Sequence, residues 1–233
     1  MLLWILILLL AFYIIKRIVV FMMMDYIRPL PVYHPEVRSI VALGDSLTFG
    51  LMLFPRPKLR YSAQLEKQLH DTKVYNLGVS GATANPNTNR AIVKHPYYRA
   101  LEDYHPDILI VQFGTNDTKK DFWQDTTVFM HQYDSLINNL KKHNPNAKII
   151  IIGPPPIYSV WGRSEAMFTM NPSVARLIDQ ALRTYTTNHQ IPYVSMMELF
   201  DHHPEYFPID GVHMNAKAHR QVADKLSEII NKL

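Results

Sequence analysis

The chain contains no cysteine among its 233 residues. It can therefore form neither a disulfide nor a thiolate metal site, and it cannot use a cysteine nucleophile. It also lacks a long basic run, since its net charge of +4 comes from scattered lysine and arginine residues, and it carries no nucleic-acid-binding motif. We therefore expect no nucleic-acid partner.

The chain has no internal repeat, and its only biased stretch is a segment that contains Pro29, Pro31 and Pro35. Prolines this close together prevent a helix and favour an extended connector. A hydrophobic content of 48% with 19% charged residues is typical of a globular protein with a full core. These features predict a hydrophobic N-terminal segment (residues 1–24), a proline-rich connector (25–37) and one folded domain (38–233).

The N-terminal segment carries no charge before Lys16 and Arg17, and residues 18–24 are again apolar. Residues 1–15 alone are shorter than the roughly 20 residues that cross a bilayer, whereas the whole segment is long enough. A basic start and a small-residue cleavage site, which mark a cleaved signal peptide, are both missing. We therefore predict an uncleaved membrane anchor with a single N-terminal span, on an undetermined side of the membrane. An interfacial helix and a secreted protein are the alternatives.

Short apolar runs alternate with segments of helical period along the rest of the chain. The alternation predicts an α/β fold in which a mainly parallel, five-stranded sheet carries helices on both faces. The predicted strands are residues 37–43, 73–77, 107–113, 147–152 and 191–194. The predicted helices are residues 57–70, 88–104 (broken near Pro96), 126–143, 172–188 and 214–233.

The candidate site residues follow the predicted strands at the edge where such sheets bind ligands. Ser46 follows the first strand, Gly78 the second and Asn116 the third, while Asp210 and His213 precede the last helix. Because the carboxyl ends of parallel strands meet at one edge, we expect these five residues to lie close together. The sequence carries no indication of the oligomeric state.

A hydroxyl, an imidazole and a carboxylate are the groups that activate a serine nucleophile. Ser46 would attack an acyl carbonyl, His213 would take its proton, and Asp210 would orient the imidazole and stabilise its charged form. The negative oxygen of the tetrahedral intermediate needs hydrogen-bond donors. The backbone N–H groups of Ser46 and Gly78 and the side-chain amide of Asn116 are the candidates for this oxyanion hole.

Four motifs occur in order: residues 44–48 (GDSLT), 76–81 (NLGVSG), 114–117 (GTND) and 210–213 (DGVH). Together they resemble the four blocks of the GDSL, or SGNH, hydrolases. The resemblance implies a flavodoxin-like, three-layer α/β/α fold and hydrolysis of esters or thioesters without a metal or other cofactor. It assigns the nucleophile to Ser46, the base to His213, the partner of the base to Asp210 and oxyanion donors to Gly78 and Asn116.

Residues 114–119 with Trp123, and the stretch 206–208 before Asp210, resemble the carbohydrate O-acetylesterases of this superfamily. Aromatic rings such as those of Trp123, Tyr158 and Trp161 could stack on a sugar, although core packing also explains them. We therefore predict deacylation of small O-acyl esters, acetyl above all, on a carbohydrate through a covalent acyl-enzyme.

Two other functions remain open at this stage. The first is a lysophospholipase or acyl-thioesterase, in which the apolar loop 51–54 would line an acyl pocket. The same loop is equally well explained by packing against the first helix. The second is a catalytically inactive binding module tethered to a membrane. The presence of all five residues that the chemistry requires argues against this alternative.

Several other residues carry rival interpretations. Ser80 is a second serine in a glycine-rich turn, but it does not complete the Gly-x-Ser-x-Gly motif of the α/β-hydrolases. The adjacent pair His202 and His203 resembles a metal site only weakly, because neighbouring side chains usually point in different directions. Asn116 begins a glycosylation sequon. We predict that it is unmodified, since a glycan would block the oxyanion hole.

Overall fold

The computed structural model describes residues 2–23, 29–162 and 166–233. The first described element is helix α1 (Leu2–Met23), whose side chains from residue 4 to residue 16 are exposed. Within the described residues, no helix combines the length and apolarity that a membrane crossing requires. The membrane anchor predicted from the sequence is therefore not supported. Residue 1 and residues 24–28, which belong to the predicted segment and connector, lie outside the described residues.

A five-stranded parallel sheet forms the centre of the domain, with the strand order β2-β1-β3-β4-β5. Its strands are β1 (Arg38–Gly44), β2 (Thr72–Gly78), β3 (Ile108–Gln112), β4 (Lys148–Ile152) and β5 (Tyr193–Val194). This order is that of the flavodoxin-like folds, in which ligands bind at the carboxyl ends of the strands. The predicted three-layer α/β/α fold with a parallel five-stranded sheet is confirmed.

Helices cover both faces of this sheet. They are α2 (Ser46–Phe49), α3 (Arg56–Leu59), α4 (Tyr61–Gln68), α5 (Pro96–Arg99), α6 (Leu101–Tyr104), α7 (Thr126–His143), α8 (Pro172–Asn188), α9 (Met196–Phe200) and α10 (Ala216–Ile230). Because side chains alternate along a strand, Val41 and Leu43 of β1 pack in the core on the α7 and α8 side. Ile40 and Ala42 pack in the core on the α4 and α10 side.

The predicted elements agree best with the structure where local capping is strong. Helices α7 and α8 have the predicted bounds, because Asp125 and Asn171 cap their first turns through side-chain hydrogen bonds. The predicted helix 57–70 is divided into α3 and α4 at Arg60, whose backbone is extended.

The predicted helix 88–104 is wrong in its first part. The backbone N–H of Thr83 donates to Arg90 O and that of Ile92 donates to Thr83 O, so the chain near Ala91 forms an isolated bridge. A 3-10 turn (Ile92–Lys94) follows, and α5 begins only at Pro96, which fits a first helical position.

The described part of the connector, residues 29–37, forms neither helix nor strand. It is nevertheless attached to the domain. The Tyr33 hydroxyl lies 3.2 Å from Ser39 Oγ and donates to His105 O at 3.1 Å, and the His34 N–H donates to the Tyr75 hydroxyl at 2.8 Å. The connector is therefore held by residues of β1, of β2 and of the chain before β3.

Candidate active site

The turn after β1 delivers Ser46 to the carboxyl edge of the sheet. The Asp45 carboxylate caps α2 by accepting the Leu47 N–H at 2.8 Å, so the helix begins at Ser46 itself. A Cβ on Gly44 would lie 2.1 Å from Thr48 Oγ1, so only glycine lets the chain turn this tightly. The sequence therefore places the Ser46 hydroxyl directly beyond a central strand.

The predicted nucleophile, base and acid form one continuous hydrogen-bonded series. The His213 Nε2 atom lies 2.9 Å from Ser46 Oγ, and its Nδ1 atom lies 2.6 Å from Asp210 Oδ2. Because an ionised Asp210 accepts hydrogen from Nδ1, the Nε2 atom is left to accept the serine proton. Ser46 and His213 are each only 5% exposed. The structure thus brings Ser46 into contact with the His213–Asp210 pair, whose histidine lies 167 residues away along the chain.

The Asp210 carboxylate is held ionised by its partners. Burial by itself would raise its pKa, but the hydrogen bond and charge of His213 lower the pKa below its ordinary value. The backbone N–H groups of Val212 and His213 also donate to Asp210 Oδ1, at 3.0 and 2.8 Å. The carboxylate is therefore suited to fix the imidazole and to stabilise its charged form.

The loop that carries Asp210 and His213 is attached to the chain after β4. The Tyr158 N–H donates to Gly211 O at 2.9 Å, and a Cβ on Gly211 would lie 1.9 Å from Tyr158 O. Gly211 also has a φ of +75°, a conformation that favours glycine. Close approach and backbone conformation therefore both require glycine in the DGVH motif.

The three candidate oxyanion donors lie at adjoining strand ends. Gly44 and Gly78 are paired across β1 and β2, and Ser46 lies two residues beyond Gly44. The Gly78 N–H lies 3.2 Å from Asn76 Oδ1. The Asn116 amide nitrogen donates to Ala82 O at 3.1 Å, and it lies 3.5 Å from a carboxylate oxygen of Asp45. All five residues predicted for the site therefore meet at one edge of the sheet.

The sequence model of the GDSL-like Lipase/Acylhydrolase family matches residues 42–221, which include all five predicted site residues. The chain belongs to the GDSL-like lipase/acylhydrolase family. This confirms the resemblance drawn from the four motifs and assigns the protein to a family of ester hydrolases.

One curated relative of this GDSL hydrolase is similar over most of the chain at low identity. An acetylxylan esterase from Xylanibacter ruminicola is 23% identical over 225 residues, which cover 88% of this chain and 45% of that protein. The chain thus spans about half the length of that curated relative.

Solved structures share the fold of the GDSL hydrolase. A carbohydrate acetylesterase family member from Sinorhizobium meliloti superposes with a TM-score of 0.69 at 21% identity, covering 84% of this chain and 98% of that one. The M. smegmatis aryl esterase superposes with a TM-score of 0.68 at 18% identity, covering 84% of this chain and 99% of that one. At such identities the likeness shows the three-layer fold.

Two buried carboxylates of the GDSL hydrolase were missed by the sequence reasoning. Burial raises the pKa of Asp45 to about 6, and it raises the pKa of Asp117 to about 6 as well. Asp117 accepts the backbone N–H groups of Ala84 and Asn85 at 3.2 and 3.0 Å. Both residues stand inside the GDSLT and GTND motifs next to predicted site residues, which is the signal that could have identified them.

The rival candidates have other surroundings. The His213 imidazole is bonded to Ser46 rather than to Ser80. His203 pairs at the surface with Glu205, and among the described residues no group of His, Asp or Glu side chains could hold a metal ion. The loop 51–54 is divided, because Leu53 is buried in the protein whereas the Phe54 side chain is exposed.

The aromatic candidates also differ from one another. Trp123 packs against Phe129, and the Tyr158 hydroxyl donates to Phe200 O, whereas Trp161 is 69% exposed. The sequence reasoning missed Phe168. Its ring lies edge-on to the His213 imidazole, with the centroids 6.0 Å apart, and it is 45% exposed.

Proposed function

We propose that the protein is a serine ester hydrolase that works through a covalent acyl-enzyme. The observation that carries the proposal is the unbroken series Ser46–His213–Asp210, with hydrogen-bond lengths of 2.9 and 2.6 Å. Ser46 Oγ attacks the acyl carbon while its proton passes to His213 Nε2, and Asp210 stabilises the imidazolium that forms. His213 then gives this proton to the leaving alcohol.

Preorganised donors stabilise the oxyanion in this mechanism. The N–H groups of Ser46 and Gly78 and the amide of Asn116 are the proposed donors, since all lie at the carboxyl edge of the sheet beside Ser46. Removal of one such donor typically lowers kcat about 100- to 1,000-fold. A water molecule then attacks the acyl-enzyme with His213 as base, which releases the acid and restores Ser46.

We assign the substrate class to small O-acyl esters, acetyl above all, on a carbohydrate. Ser46 and His213 are each 5% exposed, which favours a small acyl group over a long chain. An acetylxylan esterase and a carbohydrate acetylesterase family member are among the similar proteins. The exposed Phe168 ring beside His213 offers a surface on which a sugar could stack.

Hydrolysis of p-nitrophenyl acetate by the full chain tests the mechanism. We expect Ser46→Ala and His213→Ala each to lower kcat by at least about 10,000-fold, because both residues act in the same step. Ser80→Ala is the matched control, since it removes a nearby serine hydroxyl that the proposal does not use. A loss of only twofold in Ser46→Ala would refute the nucleophile.

A series of acyl chains tests the substrate class. Acetyl, butyryl and decanoyl p-nitrophenyl esters are compared with acetylated xylo-oligosaccharides, and kcat/KM is expected to fall with chain length. A preference for the decanoyl ester would replace the carbohydrate proposal with the lysophospholipase or thioesterase alternative. Absence of turnover on every ester would favour the inactive binding module.

The proposed catalytic unit is the domain 38–233, with residues 25–37 as its connector and residues 1–24 as a separate N-terminal segment. The family match begins at residue 42 and the described connector has no regular structure, which supports this division. A chain that begins at residue 29 should retain the kcat of the full chain. A large loss of kcat would show that the N-terminal segment belongs to the catalytic unit.

A further inference from the structure

The Asp45 carboxylate is a second acidic group at the site, and the mechanism above does not use it. It is fully buried and accepts hydrogen bonds from three different parts of the chain. The Leu47 N–H donates to Oδ1 at 2.8 Å, the Gln112 amide donates to Oδ2 at 3.3 Å, and the Asn116 amide nitrogen lies 3.5 Å from Oδ2. The nucleophile turn and the proposed oxyanion donor therefore share one acceptor.

A series of side chains leads to Asp45, and each member donates a hydrogen bond to the next. The Thr48 hydroxyl donates to Gln112 Oε1 at 3.1 Å and lies 2.9 Å from the Tyr61 hydroxyl, so Tyr61 must be the donor in that pair. Gln112 in turn donates its amide hydrogen to Asp45. An ionised carboxylate only accepts hydrogen bonds, which fixes the orientation of every group in the series.

The same rule decides which way the Asn116 amide points. Its nitrogen faces Ala82 O at 3.1 Å and Asp45 Oδ2 at 3.5 Å, and both of these atoms are acceptors. A rotation of the amide by 180° would place its oxygen against two other oxygens, which is unfavourable. The two acceptors therefore keep the donor end of Asn116 in place. The hydrogen bond from Asn116 to Asp45 is longer, and therefore weaker, than the one to Ala82 O. The amide hydrogen that faces Asp45 is therefore the easier one to transfer to another acceptor.

We propose that Asp45 is a positioning residue for the oxyanion hole: its carboxylate orients the Asn116 amide and yields one amide hydrogen to the acyl oxygen when the tetrahedral intermediate forms. The inference rests on the proposed serine mechanism and deepens it. Asp45 is fully buried, so it acts on the substrate only through Asn116. The ionised state is available at neutral pH, since burial raises the pKa of Asp45 only to about 6 against the opposing hydrogen bonds of Leu47 and Gln112.

The variant Asp45→Asn tests this role with almost no change in volume. If its oxygen continues to accept the fixed backbone N–H of Leu47, the new NH2 group faces the amide donors of Gln112 and Asn116, and one of these amides must turn. We expect kcat for p-nitrophenyl acetate to fall about 100-fold, as for the loss of one oxyanion donor, with little change in KM. An unchanged kcat would overturn the proposal.

A double-mutant cycle separates positioning from a general structural effect. In the background of Asn116→Ala, the Asp45→Asn change should lower kcat by less than about threefold, because the group through which Asp45 acts is already absent. Asp117→Asn is the matched control: this buried carboxylate binds the backbone at Ala84 and Asn85, so its effect on kcat should be the same in both backgrounds. Independent, multiplicative effects of Asp45→Asn and Asn116→Ala would overturn the proposal.

A measurement on the wild-type protein does not depend on any variant folding. The two side-chain amide hydrogens of Asn116 are followed by NMR before and after a phosphonate ester reacts with Ser46. We expect one hydrogen to shift strongly as it leaves Asp45 for the phosphonate oxygen, while the hydrogen on Ala82 O stays. A spectrum in which neither hydrogen shifts would overturn the proposal.

The serine mechanism itself is checked in the same assay with Ser46→Ala. Turnover by Ser46→Ala would sink the proposed function as a whole. An inactive Ser46→Ala together with a fully active Asp45→Asn would sink only the role of Asp45.

Discussion

The two sides of the site hold their carboxylates in opposite ways. On the nucleophile side (residues 44–50 with Gly78, Gln112 and Asn116), the donors to Asp45 are neutral amides, and burial raises its pKa to about 6. On the base side (residues 210–214), Asp210 is paired with His213, and the imidazole lowers its pKa in spite of burial. The difference follows from the partners, because the imidazole of His213 adds its hydrogen bond and charge to the backbone donors of Asp210, whereas the neutral donors of Asp45 do not offset the effect of burial.

The comparison shows how one site can assign two roles to one residue type. In the proposed mechanism, the carboxylate with a titratable partner stabilises a charge that appears during the reaction, whereas the carboxylate with amide partners fixes geometry. The two sides are also built differently. The nucleophile side is attached directly to β1, β2 and β3, whereas the base side depends on loop contacts such as Tyr158 N–H to Gly211 O.

The largest expected effect lies on the base side. Asp210→Asn keeps the shape of the carboxylate but favours the wrong tautomer of His213, so we expect kcat for p-nitrophenyl acetate to fall about 10,000-fold. Asp45→Asn should cost about 100-fold in the same assay, since it disturbs one oxyanion donor. Equal losses in the two variants would remove the distinction between a charge-stabilising and a positioning carboxylate.

The next effect concerns the stability of the nucleophile side. A Cβ on Gly78 would lie 2.2 Å from the backbone nitrogen of Phe49, where neither chain can move without disturbing β2 or α2. We expect Gly78→Ala to lower the free energy of unfolding by about 3 kcal/mol in urea titrations. Gly162→Ala is the control. A Cβ there meets no atom within 4 Å, and only the left-handed backbone at a φ of +67° is strained, at a cost of about 1 kcal/mol.

Much of the fold could be predicted because local signals agree with the tertiary structure. Asp125 and Asn171 cap helices whose apolar period already marks them, and the apolar run in β3 is buried along its whole length. The segment around Ala91 could not be predicted in this way. Its path depends on the bridge to Thr83, a tertiary contact that leaves no periodic pattern in the sequence.

The site residues also fall into those that local sequence signals predict and those that only tertiary contacts reveal. The motif residues Ser46, Asp210 and His213 could be named in advance, because their chemistry and their places after strands both point to one edge. The contacts of Asp45 with Gln112 and Asn116 join residues 67 and 71 positions apart. Only the packed structure shows which amide faces which carboxylate, so the orientation of the oxyanion donor lay beyond the sequence.

A third prediction concerns stability in acid and the buried imidazole of His219. His219 of α10 is fully buried, accepts the Tyr61 N–H at Nδ1, and has a pKa lowered to about 3 by burial and by the charge of His213. The unfolded chain takes up a proton near pH 6.5 and the folded chain does not. The stability from His219 is therefore complete above pH 6.5 and is lost as the pH falls from 6.5 towards 3.

His219→Gln keeps a hydrogen-bond acceptor but cannot be protonated in this range. We expect the free energy of unfolding to fall about 2 kcal/mol less between pH 7 and pH 5 in the variant than in the wild type. Asp45 and Asp117 have raised pKa values and act in the opposite direction, but both are present in the two proteins and cancel. His131→Gln, at an exposed position of α7, is the matched control substitution. Equal slopes for wild type and His219→Gln would contradict a buried neutral imidazole.

The smallest expected effect tests whether the leaving group binds on the base side, next to His213. Phe168→Ala removes the ring beside His213, and we expect KM for acetylated xylo-oligosaccharides to rise about fivefold because a stacking contact with the sugar is lost. The kcat/KM for p-nitrophenyl acetate should change less than about twofold, since this small ester has no sugar to stack. Phe54→Ala removes another exposed phenylalanine, from the loop after the nucleophile, and should leave the KM for the oligosaccharides unchanged. An equal loss of kcat/KM on both substrates in Phe168→Ala would mean that the ring acts on the His213 imidazole and not on the sugar. The leaving group would then have to bind at another part of the site.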